Sequence, residues 1–230
     1  MNSKPSGYED FMNGSAAADP VRPNDFRVVN LTPDLAPQCA ALELAAFPHA
    51  NPEDLLNEED IRVYSQVFPD GFFVILDGDR VAGQGAGIFL DFDFDHPQHT
   101  IAGITGDHQC CNHDPAGLWY YGTDIVVHPD YRRRGIGKRL YDLRKDLVRR
   151  QNRKGIIAGG YLAGYGVHKA EVDTATYLAK VSEGDLYDPT LSFQMENGFR
   201  IVTLLRNYLR DDETNGDSAL IVWDNPGFRP

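Results

Sequence analysis

YYGTDIVVHPDYRRRGIGKRLYDLRKDLVRRQNRK, residues Tyr120 to Lys154, decides the fold. It opens on Ile125-Val126-Val127, an apolar and mostly β-branched run suited to a buried strand. His128-Pro129-Asp130 breaks that strand, because proline fixes φ and donates no hydrogen bond. Arg132-Arg133-Arg134-Gly135-Ile136-Gly137 follows, and then Ile136, Leu140, Leu143 and Leu147 repeat at helical spacing. The order is strand, glycine-bearing turn, helix start. Such a turn presents backbone N–H groups with the positive end of a helix dipole behind them, which makes an anion site.

Charge points to the same place. The chain carries 34 acidic and 22 basic residues, a net of −12. Residues 132–154 hold 11 of those cations and only Asp142 and Asp146 as acids, so this stretch is +9 and the remainder −21. An acidic chain that gathers half its cations beside a phosphate-type turn is suited to bind a polyanion there.

Three polyanions compete. A nucleoside triphosphate asks for G-x-x-x-x-G-K-S/T, but Arg132 stands where the first glycine belongs and Arg139 where the hydroxyl belongs. A dinucleotide asks for G-x-G-x-x-G, and Leu140 occupies the third glycine position. The pyrophosphate of coenzyme A remains. Val126-Val127-His128-Pro129, then Arg132-x-x-Gly135-x-Gly137 and an amphipathic helix, with Gly198-Phe199 downstream, resembles the R/Q-x-x-G-x-G/A signature of the GNAT superfamily of N-acetyltransferases. The resemblance covers about residues 25–230. Within it, GGYLAGY, LYDPTLSFQMENGF and NYL resemble more narrowly the acetyltransferase domains often joined to carbon–nitrogen hydrolases.

Length and composition bound the rest. A chain of 230 residues, 42% hydrophobic, can bury one substantial core. The expected organisation is a flexible N-terminal tail over residues 1–24, rich in Ser, Gly, Ala, Pro and Asn, and a single domain over 25–230. No apolar run reaches membrane-spanning length and no apolar signal core stands at the N-terminus, so a cytoplasmic protein without a membrane partner is expected. Cys39, Cys110 and Cys111 make no disulfide framework. The acidic balance argues against nucleic acid as a partner.

Along the chain, Phe26–Leu31 reads as a strand. Thr32-Pro33-Asp34 reads as a helix start with Thr32 as N-cap, and Asn51-Pro52-Glu53-Asp54 as a second start. Leu35, Cys39, Leu42 and Ala46 form one apolar face. Phe72–Leu76 and Arg80–Leu90 read as a hairpin about Asp77-Gly78-Asp79. Gly83, Gly85 and Gly87 share a face, suited to a close ligand or a close helix. Residues 91–117 contain four histidines and Cys110-Cys111. Adjacent cysteines without C-x-x-C suit a tetrahedral metal poorly, so this segment reads as a loop shaping the substrate entrance, with no metal. Gly155–Gly160 reads as a buried strand, Asp173 or Thr174 as the cap of a helix that Gly184 ends, and Pro189–Asn197 as a later helix. Residues 198–202 and Ser218–Trp223 read as the last strands.

The resemblance implies an α/β (α+β) fold: a mixed, mainly antiparallel sheet of about seven strands, flanked by helices and splayed between strands 4 and 5, with acyl-CoA in the splay. It implies acetyl-CoA as co-substrate, a small-molecule amine as acceptor and direct attack in a ternary complex, in a monomer or homodimer. The backbone of Ile125, Val126 and Val127 would then pair with the pantetheine arm. Arg132 and the amides of Arg133, Arg134, Gly135, Ile136, Gly137 and Lys138 would hold the pyrophosphate. Family members often carry a Tyr acid four residues before the Gly-Phe pair; here that position is Gln194, which cannot supply a proton. Tyr187, Tyr161 and Tyr165 are the other candidates for the acid. Asp124, Tyr121 and His168 are candidates for the base, and Asp124 abuts a buried strand where desolvation raises a carboxylate pKa. Gln194 also leaves open a non-catalytic acyl-CoA-binding or regulatory module that keeps the fold.

Overall fold

The computed structural model describes residues 26–48 and 50–230. The expected tail, residues 1–24, lies outside the described residues. Seven strands form one sheet: β1 (Arg27–Asn30), β2 (Phe73–Asp77), β3 (Arg80–Leu90), β4 (Trp119–Val127), β5 (Gly155–Tyr161), β6 (Arg200–Leu205) and β7 (Ser218–Asp224). Their order is β1-β2-β3-β4-β5-β7-β6. Every neighbouring pair is antiparallel except β4 and β5, which are parallel. Helix α4 (Ile136–Arg150) bridges that pair, because parallel strands need a crossover rather than a hairpin. This is the mixed, mainly antiparallel sheet that the family resemblance implies.

The sheet is covered on both faces. In β2, Phe73 and Ile75 pack with Ile136, Leu140 and Val148 of α4. Val74 and Leu76 point the other way and pack with Cys39 and Leu42 of α1 (Ala36–Ala46) and Ile61 and Tyr64 of α2 (Glu58–Val67). The strand period of two divides one apolar run between two cores. Three shorter helices complete the described residues: α3 (Ile101–Thr105), α5 (Thr174–Glu183) and α6 (Leu191–Glu196). No described helix is long and apolar enough to cross a membrane.

Several boundaries differ from the sequence reading for local reasons. Thr32 makes no cap hydrogen bond; a 3-10 turn at Pro33–Leu35 intervenes and α1 begins at Ala36. Asn51 caps only the 3-10 turn Pro52–Asp54. The true start of α2 is a capping box, in which Asn57 accepts from the Asp60 amide and Asp60 from the Asn57 amide. The hairpin turn is two residues, with Asp77 paired to Arg80 and Gly78 at φ 57°. Asp188 takes the Thr190 and Leu191 amides at 2.8 Å each and so starts α6 at Leu191, later than Pro189. The glycines of β3 admit a helix: a Cβ at Gly83 would lie 2.7 Å from Ile136, and one at Gly85 3.3 Å from the Arg144 guanidinium.

Candidate active site

The β4–α4 turn is where the sequence reading places an anion cradle. Pro129–Tyr131 forms a 3-10 turn, Arg133 sits at φ 63°, and Gly135 caps α4 at φ 80°. Glycine adopts this left-handed conformation without strain, and open space surrounds the position where a Cβ at Gly135 would be. Gly137 is small for another reason: its Cβ would touch the Phe193 ring at 3.3 Å. None of the amides of Arg133, Arg134, Gly135, Ile136, Gly137 and Lys138 donates to another group among the described residues. A pocket of about 370 Å³ opens beside them, lined by Phe26, Arg134, Gly135, Lys138 and Arg139 among others. Arg132 is turned away from this cradle. Its amide donates to Pro129 O at 3.3 Å and its guanidinium to Ala46 O at 3.4 Å.

Next to the cradle the sheet splays. β4 pairs with β5 only from Trp119↔Gly155 to Gly122↔Ala158. β4 continues along β3 to Val127↔Gly83, and the His128 amide donates to Ala82 O at 3.0 Å. Antiparallel alternation then turns the main-chain groups of Val126 toward β3 and those of Ile125 and Val127 toward the splay. Of the three residues expected along a pantetheine arm, two present their backbone to the open edge and Val126 does not.

A bulge decides which side chains meet there. Ala86 pairs with Asp124 and Gly87 with Gly122, so Thr123 is the extra residue in β4. In a regular strand Tyr121 and Asp124 would point to opposite faces. The bulge places both on the face covered by α1 and α2.

On that face Asp124 meets Glu43 of α1, which is 2% exposed. The two carboxyls are hydrogen-bonded to each other. Gln84 Nε2 donates to both, at 2.5 Å to Glu43 Oε1 and 3.2 Å to Asp124 Oδ2. Burial first, and then the charge of Asp124, hold Glu43 well above the ordinary carboxylate range. Burial also raises Asp124, against the lowering effects of the Glu43 and Gln84 hydrogen bonds and the Arg144 charge. Like charges this close cannot both ionise, so the pair holds one proton and carries a single negative charge. Glu43 was missing from the sequence reading. Its signal was a charge four residues after Cys39, inside the apolar stripe of α1.

Tyr121 belongs to a second polar group. Its hydroxyl lies 2.6 Å from His99 Nε2 and 3.0 Å from the Tyr208 hydroxyl. His99 Nδ1 lies 2.7 Å from Pro97 O, an acceptor only, so in the neutral ring Nδ1 carries the hydrogen and Nε2 accepts from Tyr121. Tyr208 therefore donates to Tyr121. Gly159 of β5, the first residue beyond the β4–β5 pairing, makes room for Tyr208: a Cβ there would lie 2.3 Å from its ring. Segment 91–117 thus reaches the splay through His99.

The other candidates are placed differently. Gln194 of α6 is buried, its Oε1 has no partner among the described residues, and it faces Gly160 of β5. Tyr187 is 67% exposed. Tyr165 donates to Val172 O at 3.2 Å and Tyr161 to Asp211 at 3.1 Å. His168 packs against the Tyr177 ring. In segment 91–117 Cys110 is buried, Cys111 is exposed, and His113 accepts from the Phe89 amide.

Comparison with known proteins bears on this geometry. The family model described as the acetyltransferase (GNAT) family matches residues 37–159. Two relatives from Bacillus subtilis (strain 168) match over 190 residues, 82% of this chain. "Probable hydrolase YhcX" is 37% identical, and this chain spans only 36% of its length. "Uncharacterized N-acetyltransferase YkwB" is 31% identical, with 84% of its length covered. Among solved structures, the loading GNATL domain of CurA from Lyngbya majuscula shares the fold at a TM-score of 0.77 and 19% identity. That match covers 87% of this chain and 98% of the domain.

Proposed function

The chain belongs to the acetyltransferase (GNAT) family, and from that premise we propose that it transfers an acetyl group from acetyl-CoA to the primary amine of a small cationic molecule. Acetyl-CoA is the co-substrate that membership implies, and the residues present suit it. Six amides without a partner among the described residues and the exposed cations Arg133, Arg134 and Lys138 suit its pyrophosphate. The open main-chain edge at Ile125 and Val127 suits its pantetheine arm.

The observation that carries the proposal is the Glu43–Asp124 pair beside that edge. An alkyl ammonium, near pKa 10 in water, must lose a proton before it can attack a thioester. Asp124 supplies the ionised oxygen that takes the proton, and Glu43 holds the proton that keeps the pair's charge at one. The same single charge attracts a cationic acceptor, and the −21 of the chain outside residues 132–154 favours its approach. Asp124, once protonated, can return that proton to the departing sulfur. Gln194 can donate a hydrogen bond there but no proton. Attack is direct. Cys39, beside the pair, has its thiol pushed up to about 12 by burial first and then by Glu43 and Asp124, so it remains protonated and is no nucleophile.

A panel of cationic, neutral and anionic primary amines, assayed with acetyl-CoA by release of free thiol, tests this reading. Turnover with cationic amines is expected. Turnover confined to anionic acceptors would overturn the charge argument. The second reading is an acyl-CoA-binding module without catalysis, favoured by Gln194 in place of a Tyr. Acetyl-CoA binding without thiol release from any amine would select it.

A further inference from the structure

Arg144 of α4 makes no hydrogen bond to the carboxyls of the acid pair, yet its guanidinium ends beneath Asp124 on the opposite face of the sheet. We propose that Arg144 is a positioning residue for the transfer: it fixes the β4 bulge that aims Asp124, and its charge keeps the Glu43–Asp124 pair ionised once at neutral pH. The proposal rests on the reading of Asp124 as the base. Arg144 acts through Asp124 and needs no contact with either substrate.

The path of the side chain is built for this reach. Arg144 is 2% exposed and enters a slot that Gly85 of β3 and Gly122 of β4 leave open. A Cβ would lie 3.3 Å from the guanidinium at Gly85 and 3.0 Å from it at Gly122. Gly122 pairs with Ala158 and is the last residue of β4 held by β5. The cation therefore lies beneath the point at which the sheet opens.

The groups it holds belong to the bulge. Arg144 Nη2 donates to the main-chain oxygens of Ala86 and Asp124. These two residues pair with each other at the register position beside the break. Clasping them from below fixes where Thr123 leaves the ladder, and so the face to which Asp124 turns its carboxyl.

The groups it lacks are as telling. Nε is buried without a partner, and no carboxylate is bonded to Arg144 among the described residues. A guanidinium this buried costs stability unless its charge meets an opposite one. The single negative charge of the acid pair, across one strand, is the one available. The titratable groups around Asp124 leave the cation alone in this role. Glu43 and Cys39 face it from α1, Tyr64 from α2 and Tyr120 from its own strand. Burial pushes Cys39 and Tyr120 up to about 12 and raises Tyr64, so all three stay neutral. Only Arg144 opposes, by positive charge, the burial that raises Asp124. Without it, burial would put a second proton on the pair at neutral pH. A doubly protonated pair has no oxygen to take the proton of an ammonium.

Two variants separate grip from charge. Arg144→Gln keeps a donor and removes the charge; Arg144→Lys keeps the charge and loses the fork. Both are assayed with acetyl-CoA and an amine that the wild type acetylates, over about pH 5–10. In Arg144→Gln the acid limb of the kcat profile should move up by about one pH unit or more. Its kcat should then fall by about tenfold on the acid side and recover as pH rises. In Arg144→Lys the limb should stay at its wild-type place. Acetyl-CoA affinity, read by calorimetry, should be nearly unchanged in both. A purely structural role lowers kcat equally at every pH and moves no limb. A folded Arg144→Gln with the wild-type limb would therefore overturn the proposal. Should Arg144→Gln not fold, a limb displaced equally far in Arg144→Lys, which keeps the charge, overturns it. Full activity in Asp124→Asn removes the base and this proposal while acyl transfer stands. A wild type that binds acetyl-CoA but acetylates no amine removes acyl transfer itself.

Discussion

Arg144 donates to the main-chain oxygen of Asp124 from the α4 face of the sheet, while the Asp124 carboxyl meets Glu43 on the α1 face. The same Arg144 nitrogen donates to Ala86 O at 2.7 Å, and the guanidinium lies 5.6 Å over the Tyr120 ring. Gly85 and Gly122 open the slot it fills, since a Cβ at either would lie within 3.3 Å of it. Arg144 has no carboxylate partner on its own face among the described residues. Its positive charge is balanced through the sheet by the one negative charge of the acid pair.

That arrangement predicts the cost of removing the cation. Arg144→Met should destabilise the protein by about 3–5 kcal/mol, because it leaves the buried charge of the pair without its counter-ion. Denaturant unfolding at pH 7 measures this. Adding Asp124→Asn to Arg144→Met should recover part of the loss, since the double variant buries neither charge. A double-mutant cycle with no coupling would separate the two sites.

The cradle yields a binding prediction. Gly135 faces open space, and Asp is among the residues that tolerate its backbone conformation. Gly135→Asp should therefore fold and place a carboxylate where the pyrophosphate is proposed to lie. Affinity for coenzyme A should fall by about tenfold or more, roughly 1.4 kcal/mol, as read by calorimetry. Unchanged affinity in the folded variant would remove the pyrophosphate from this turn.

The catalytic reading is tested at Asp124. Asp124→Asn keeps size and hydrogen bonding to Gln84 but removes the base. It should lower kcat by roughly 10²–10⁴-fold and leave acetyl-CoA affinity nearly unchanged, because the cradle lies on the following turn. If Asp124→Asn keeps full activity and Tyr121→Phe loses it, Asp124 is not the base.

The strand, turn and helix of residues 120–154 were legible in the sequence because their signals are local. Proline and glycine punctuate them, and the period of the apolar residues changes from strand to helix. Arg144 was visible only as one of the cations of that stretch, and nothing local tells a buried guanidinium from a solvated one. The glycines at 83, 85 and 87 announced a close neighbour without naming it. The Glu43–Asp124 pair needs α1 folded onto β4, so it is a tertiary fact. The Thr123 bulge lies beside Gly122 and opposite Gly87, but those glycines do not fix its position, which arises from register against β3. Without it, Tyr121 and Asp124 look like rivals on opposite faces rather than neighbours on one.

The acid pair also predicts how stability depends on pH. Burial raises Glu43 far above its unfolded value, so between the two pKa values the folded chain holds a proton that the unfolded chain has lost. Stability in that window falls as pH rises, and the favourable contribution is fully present only below the unfolded Glu pKa of about 4.3. His99 contributes with the opposite sign. Its pKa is lowered by burial, so below its unfolded value of about 6.5 the unfolded chain takes up a proton that the folded chain refuses. Stability therefore falls again on the acid side. Glu43→Gln separates the two effects. It keeps a neutral hydrogen-bonding group against Asp124 and removes the group whose ionisation opposes folding. Its melting temperature should equal or exceed that of the wild type, with the difference growing from pH 6 to pH 9, and its loss of stability on acidification through His99 should be unchanged. Parallel melting curves for the two proteins across pH 5–9 would show that Glu43 holds no extra proton in the folded state.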